Sequence, residues 1–204
     1  MMVPMTKQHF SDADALRTEI AIAAARMIAE EGVSYGTAKR KAAKQVLGNE
    51  RVGGEFLPSN AQIEDELRTY NELFLGESQP ARLRHLREVA LELMEDLSLF
   101  QPYVTGAVLN GTAGEHSDIH LQLFVDNPKD VEIYLLNKNI DFDVSETPHF
   151  KPNHLPVETV SFMRRNEGVH LTLFQPDDLR GALKARHGEN ALRADKEAVK
   201  QLLS

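Results

Sequence analysis

The sequence predicts an α+β protein: a helical N-terminal half packed on a small mixed β-sheet, with C-terminal helices. Three observations carry this prediction. Apolar residues recur at helical spacing through the first hundred residues, short alternating β-rich runs take over after Phe100-Gln-Pro-Tyr103, and the tail from Pro176 returns to a helical pattern. The boundary divides the chain into a helical region, 1–100, and an α/β region, 101–204.

The first helix is expected over 11–31, where Leu16, Ile20, Ala23, Ala24, Met27 and Ile28 share a face, Ser11 caps the start and Gly32 the end. A second, Ser34 to Leu47, buries Ala38, Ala42, Ala43, Val46 and Leu47, turns Lys39, Arg40, Lys41 and Lys44 largely elsewhere, and stops at Gly48. After a Gly53-Gly54 linker, Ser59-Asn-Ala-Gln62 is a capping box for a third helix with Ile63, Leu67, Tyr70, Leu73 and Phe74 as its apolar side. A fourth begins near Pro80 and carries the stripe Leu83, Leu86, Val89, Ala90, Leu93, Met94 and Leu97.

In the second region Ala107 to Asn110 is expected as a short buried strand, and Ile119 to Val125 as another. Asn127-Pro128 starts a helix running to about Lys138, with Val131, Tyr134, Leu135 and Leu136 buried. Ile140 to Val144 alternates as a strand with Ile140, Phe142 and Val144 inward, and three prolines make a loop between Thr147 and Val157. Thr159 to Arg165 and Val169 to Gln175 form a hairpin about Asn166-Glu-Gly168, and the tail forms two helical pieces around His187-Gly188.

Composition bounds the chemistry. Of 204 residues, 42% are hydrophobic and 26% charged, ordinary for a soluble globular protein. The formal charge of -8 argues against a dedicated nucleic-acid coat. With no cysteine, any metal must be held by His, Asp or Glu. No N-terminal h-region and no membrane-length apolar run is present, so a cytoplasmic protein without membrane partners is expected.

The chemistry gathers in Ala107-Val-Leu-Asn-Gly-Thr-Ala-Gly-Glu-His-Ser-Asp-Ile-His-Leu-Gln-Leu-Phe-Val125. Alternation along the strand sends Ile119, Leu121, Leu123 and Val125 into a core and puts Asp118, His120 and Gln122 on the other face. Before them Gly111 to Gly114 forms a turn whose backbone can approach a phosphate. Val169-His-Leu-Thr-Leu-Phe174 is a near copy of Ile119-His-Leu-Gln-Leu-Phe124, so His170 projects beside His120 if the two strands share a sheet. Asp141 and Asp143 are a competing carboxylate pair. His116, at the turn, reads equally as an exposed loop residue or a phosphate partner, and the His residues at 149, 154 and 187 lie in loops with no spacing that argues for shared ligation.

The order strand, small-residue turn, Ser-Asp, strand resembles the signature of the DNA polymerase beta-like nucleotidyltransferase superfamily. That resemblance implies a nucleotidyltransferase-like sheet, a nucleotide-binding turn at Gly111, Thr112 and Ser117, and a catalytic, metal-binding carboxylate at Asp118. His120 stands where the family has its second carboxylate, and His170 lies on a late strand, as the family's third carboxylate does. The implied metal ligands are therefore Asp118, His120 and His170. One carboxylate and two imidazoles suit a divalent transition metal better than magnesium. The implied partner is a nucleotide or another phosphate-bearing small molecule, with RNA an option for the basic second helix. Whether the protein catalyses nucleotidyl transfer, or is a non-catalytic ligand-sensing or interaction module of the same fold, stays open.

Overall fold

A computed structural model describes residues 6–48, 53–151, 153–179 and 193–204. Two compact units are present, one comprising 1–79 with 114–116, the other 80–113 with 117–204. The architecture is α+β, with eight α-helices and a five-stranded mixed sheet among the described residues. No helix among them is long and apolar enough to cross a membrane.

The first unit is helical: α1 (Thr6–Glu31), α2 (Tyr35–Leu47) and α3 (Asn60–Phe74). Its core is Ile20, Ala21, Ala24, Ala25, Ala38, Ala42, Ala43, Ile63 and Leu67. The small alanine faces let the backbones of α1 and α2 pack closely, while Ile63 and Leu67 fill the space from α3. Ser34 caps α2 by accepting from Thr37 N, and Ser59 and Gln62 make the reciprocal capping box of α3. Two expectations need correction. Helix α1 starts before Ser11, because Thr6 to Phe10 contains neither Gly nor Pro to stop it. Leu73 and Phe74 are 71% and 68% exposed, since α3 buries only the narrower stripe of Ile63, Leu67 and Asn71.

In the second unit α4 (Ser78–Asp96) leads through a short 3-10 turn to β1 (Tyr103–Thr105). Then follow α5 (Gly106–Asn110), β2 (Ile119–Phe124), α6 (Pro128–Asn137), β3 (Asp143–Thr147), β4 (Val157–Arg164), β5 (Glu167–Phe174), α7 (Pro176–Leu179) and α8 (Lys196–Leu203). The strand order is β1-β2-β5-β4-β3; β2 and β5 run parallel and every other pair antiparallel. One sheet face buries Val104, Ile119, Leu121, Leu123, Val160, Phe162, Val169, Leu171 and Leu173 in a core shared with Leu86, Val89, Leu93 and Met94 of α4 and Val131 and Leu135 of α6. The opposite face carries the polar residues.

Several elements differ from expectation for local reasons. Ala107 to Asn110 is helix, not strand: Gly106, at φ +69, turns the chain off β1, and Gly111, at φ +88, closes α5 by donating to Ala107 O. Arg87 of α4 donates to the Val108 and Leu109 carbonyls that the helix end leaves free. The strand expected at Ile140 begins at Asp143. Asn139 leaves α6 at φ +54 and Ile140 N bonds back to Leu135 O, so Ile140 and Phe142 pack against the core without pairing. Val144 lies on an edge strand and is 48% exposed. Leu136 is exposed on α6 as well. The β4–β5 turn is Arg165-Asn166, with φ +52 and +64, rather than Asn166 to Gly168. His187-Gly188 lies outside the described residues.

Candidate functional site

Cross-strand partners share a face, so the register draws a polar row across all five strands. Thr105 pairs with His120, His120 with His170, His170 with Ser161, and Ser161 with Asp143. The next row is Tyr103, Gln122, Thr172, Thr159 and Ser145. The hydroxyls of Thr172 and Thr159 in this row and of Thr147, two residues along β3 from Ser145, form a chain, with Thr147–Thr159 and Thr159–Thr172 spacings of 2.7 and 3.3 Å. Beyond that, Phe124 and Phe174 stack with centroids 5.8 Å apart. Asp143 thus joins the histidine row through Ser161, whereas Asp141 precedes β3 and lies outside it.

Asp118 stands at the head of β2. Its Oδ2 lies 3.0 Å from His170 Nε2, and His170 Nδ1 lies 2.8 Å from Ser161 Oγ. One assignment satisfies both contacts: Nε2–H donates to the carboxylate and the Ser161 hydroxyl donates to Nδ1. The His120 ring stacks on His170 at 4.8 Å and 21°. Desolvation, then the neighbouring His170, push the His120 pKa below the usual histidine value, and Asp118 only partly opposes them. The structure therefore brings Asp118, His120 and His170 together. Their nitrogens and carboxylate oxygens are not all within 4.8 Å of one another, a condition met by a different group among the described residues.

The turn before Asp118 is arranged differently from an open phosphate cradle. Gly111 N and Ala113 N both donate to Ala107 O, and Thr112, itself buried, donates through N and Oγ1 to Asn110 Oδ1 at 3.0 and 2.7 Å. These donors are already spent within the turn. Ser117 is partly exposed beside Asp118. His116 packs its Cβ against Gly32, where an added Cβ would come within 2.6 Å.

A second cluster was not legible in the sequence. His149, His154 and Asp178 each offer a ligand atom within 4.8 Å of the others, so the group could hold a metal ion. His149 Nε2 is 3.2 Å from Asp178 Oδ2, and Lys151 Nζ is 2.7 Å from Asp178 Oδ1. Burial alone would raise the Asp178 pKa, but hydrogen bonds from Lys151 and His149 outweigh it and hold the carboxyl below its usual range. Beside the cluster, the Arg193 guanidinium lies over Phe150 and Phe124 at 4.7 and 5.5 Å. Its Nε and Nη1 are buried with no hydrogen-bond partner among the described residues, and desolvation lowers its pKa. Proximity to the Phe124 end of the polar face links the two clusters, since His149 and Phe150 both pack against Phe174.

Sequence spacing offered no signal for the second cluster because its members come from a proline-bounded loop and a four-residue helix. Ser161 was equally hidden; its partner appears only when β4 is placed beside β5. No protein-family model matches the chain, and no curated protein is significantly similar to it.

Proposed function

We propose that the chain is a divergent nucleotidyltransferase-like protein that binds a nucleotide or another phosphate-bearing small molecule at Ser117 and Asp118. The observation that carries this is the meeting of Asp118, His120 and His170 at the head of the parallel β2–β5 pair, with Asp118 and His170 in direct contact at 3.0 Å. That spacing suits two ligands of one ion, and the carboxylate–imidazole donor set favours a transition metal over magnesium. Such an ion would supply the positive charge that a phosphate needs, because the Gly111, Thr112 and Ala113 amides are engaged within the turn. Gly111 and Thr112 then shape the approach to Ser117 rather than donate to the ligand.

The imidazole of His120 in place of a second carboxylate weakens a site for paired magnesium ions, which favours the non-catalytic form of this function. Labelled nucleoside triphosphates incubated with manganese, zinc or magnesium test both forms. Binding without product, lost in Asp118→Ala, is the result expected of a ligand-sensing module. Product formation that depends on Asp118 is the result expected of a transferase. The absence of nucleotide or phosphate binding under every metal defeats both.

A further inference from the structure

We propose that His149, His154 and Asp178 form a binding site for one divalent transition-metal ion of the zinc class, and that Lys151 is the resident cation this ion displaces. The site is separate from Asp118, His120 and His170, and does not rest on the nucleotide proposal. Three features support it. Zinc bonds to nitrogen and oxygen of about 2.0–2.1 Å in a tetrahedron place ligand atoms about 3.3 Å apart. His149 Nε2 and Asp178 Oδ2 are already 3.2 Å apart.

The two inner ligands are pre-positioned. Side chains of His149 and Asp178 are only 4% and 11% exposed, and Gln175 N donates to Asp178 Oδ2. His154 is exposed and stacks on His149 at 4.5 Å, so the outer ligand can close in without disturbing a core. An entry path exists as well: a cleft of about 420 Å³ is lined by Glu146, His149, Lys151, Asn153 and His154 among others.

Lys151 holds the metal-free arrangement through two groups. Its ammonium neutralises Asp178 at 2.7 Å, and its backbone N–H donates to His149 Nδ1 at 2.9 Å. That second bond fixes the tautomer with the proton on Nε2, where it donates to Asp178. A metal on Nε2 needs the opposite tautomer. Loading therefore moves the imidazole proton to Nδ1 through solvent, breaks the Lys151 amide contact and releases the ammonium to water, with the ring neutral before and after. Metal and Lys151 compete for one carboxylate.

The test is titration of the chelator-treated full chain with zinc alone, by calorimetry, and with cobalt(II), by its visible absorption. The expected result, measured in an Asp118→Ala background that removes the other candidate ligand set, is one ion per chain, no comparable magnesium binding, and affinity weakened at least about tenfold on adding His154→Ala or Asp178→Asn. Lys151→Met should tighten zinc binding by about tenfold or more. His154 is exposed, so its variant keeps the fold even if Asp178→Asn does not. No zinc binding, or zinc binding unchanged in His154→Ala, overturns the site; unchanged or weaker binding in Lys151→Met overturns the displaced-cation role.

Discussion

The carboxylate of Asp118 lies over Gly168, so close that a Cβ at residue 168 would overlap its Oδ1 and Cγ. The two residues immediately precede the registered pair Ile119 and Val169 on the parallel strands β2 and β5. Glycine here leaves the room through which Asp118 reaches His170. The constraint is spatial, since Gly168 is not among the glycines at positive φ.

Gly168→Ala should therefore displace Asp118 from His170 and destabilise the second unit by about 1–3 kcal/mol through overpacking. In an Asp118→Ala background the same change should cost much less, because the clashing carboxylate is gone. A double-mutant cycle by chemical denaturation measures the coupling. Equal costs in both backgrounds would show that the two residues do not constrain each other.

Glu167, next along the chain, is held by Arg82 at 2.5 and 2.6 Å and by His85 at 3.1 Å. The Arg82 hydrogen bonds lower its pKa from 4.5, against a smaller opposing effect of burial. The glutamate side chain is 9% exposed and the arginine 26%, so the carboxylate is the harder charge to leave unpaired. Arg82→Met should cost about 2–4 kcal/mol and Glu167→Gln less, because the abandoned guanidinium can reach water. The sign of the pH effect follows from the lowered pKa. This stabilisation is complete above pH 4.5 and is lost as pH falls through the lower folded value. Glu167→Gln should accordingly flatten the acid limb of a stability-versus-pH curve.

In the first unit, Ser59→Ala removes the side-chain acceptor for Gln62 N and the fixed geometry that lets Gln62 return a bond to Ser59 N. The expected loss is about 1 kcal/mol. It should appear as a lower denaturation midpoint with an unchanged denaturant slope.

That capping box was legible because both partners lie within one turn of sequence, and the α6 start at Asn127-Pro128 was legible for the same reason. Alternation also separated the core face of β2 and β5 from the face carrying His120 and His170, since a strand fixes side-chain direction by parity alone. Parity could not place Ser161 beside His170; that depends on the exact hairpin register, and the Asn-Glu-Gly pattern put the turn too late. Apolar Val108 and Leu109 looked like strand because nothing in four residues distinguishes a buried strand from one helical turn. The clustering of His149, His154 and Asp178 depends on a loop returning to the end of β5, which leaves no periodic trace.

Arg193 is 8% exposed, yet Nε and Nη1 have no hydrogen-bond partner among the described residues. Two aromatic faces partly compensate, each worth about 0.5–2 kcal/mol to a cation. Against this stand two donors unsatisfied among the described residues, each costing about 1–3 kcal/mol, and the desolvation of the charge, which the Asp178 carboxylate offsets in part. The unfavourable side is larger. Arg193→Met keeps a flexible apolar chain against Phe124 and Phe150 while removing the charge, so it should leave stability unchanged or raise it by about 1–2 kcal/mol. Arg193→Ala should destabilise instead, because it also opens a cavity beside the rings. Thermal and urea denaturation of the two variants separates these contributions. A loss of more than about 1 kcal/mol in Arg193→Met would mean that the aromatic contacts outweigh the buried, unsatisfied charge.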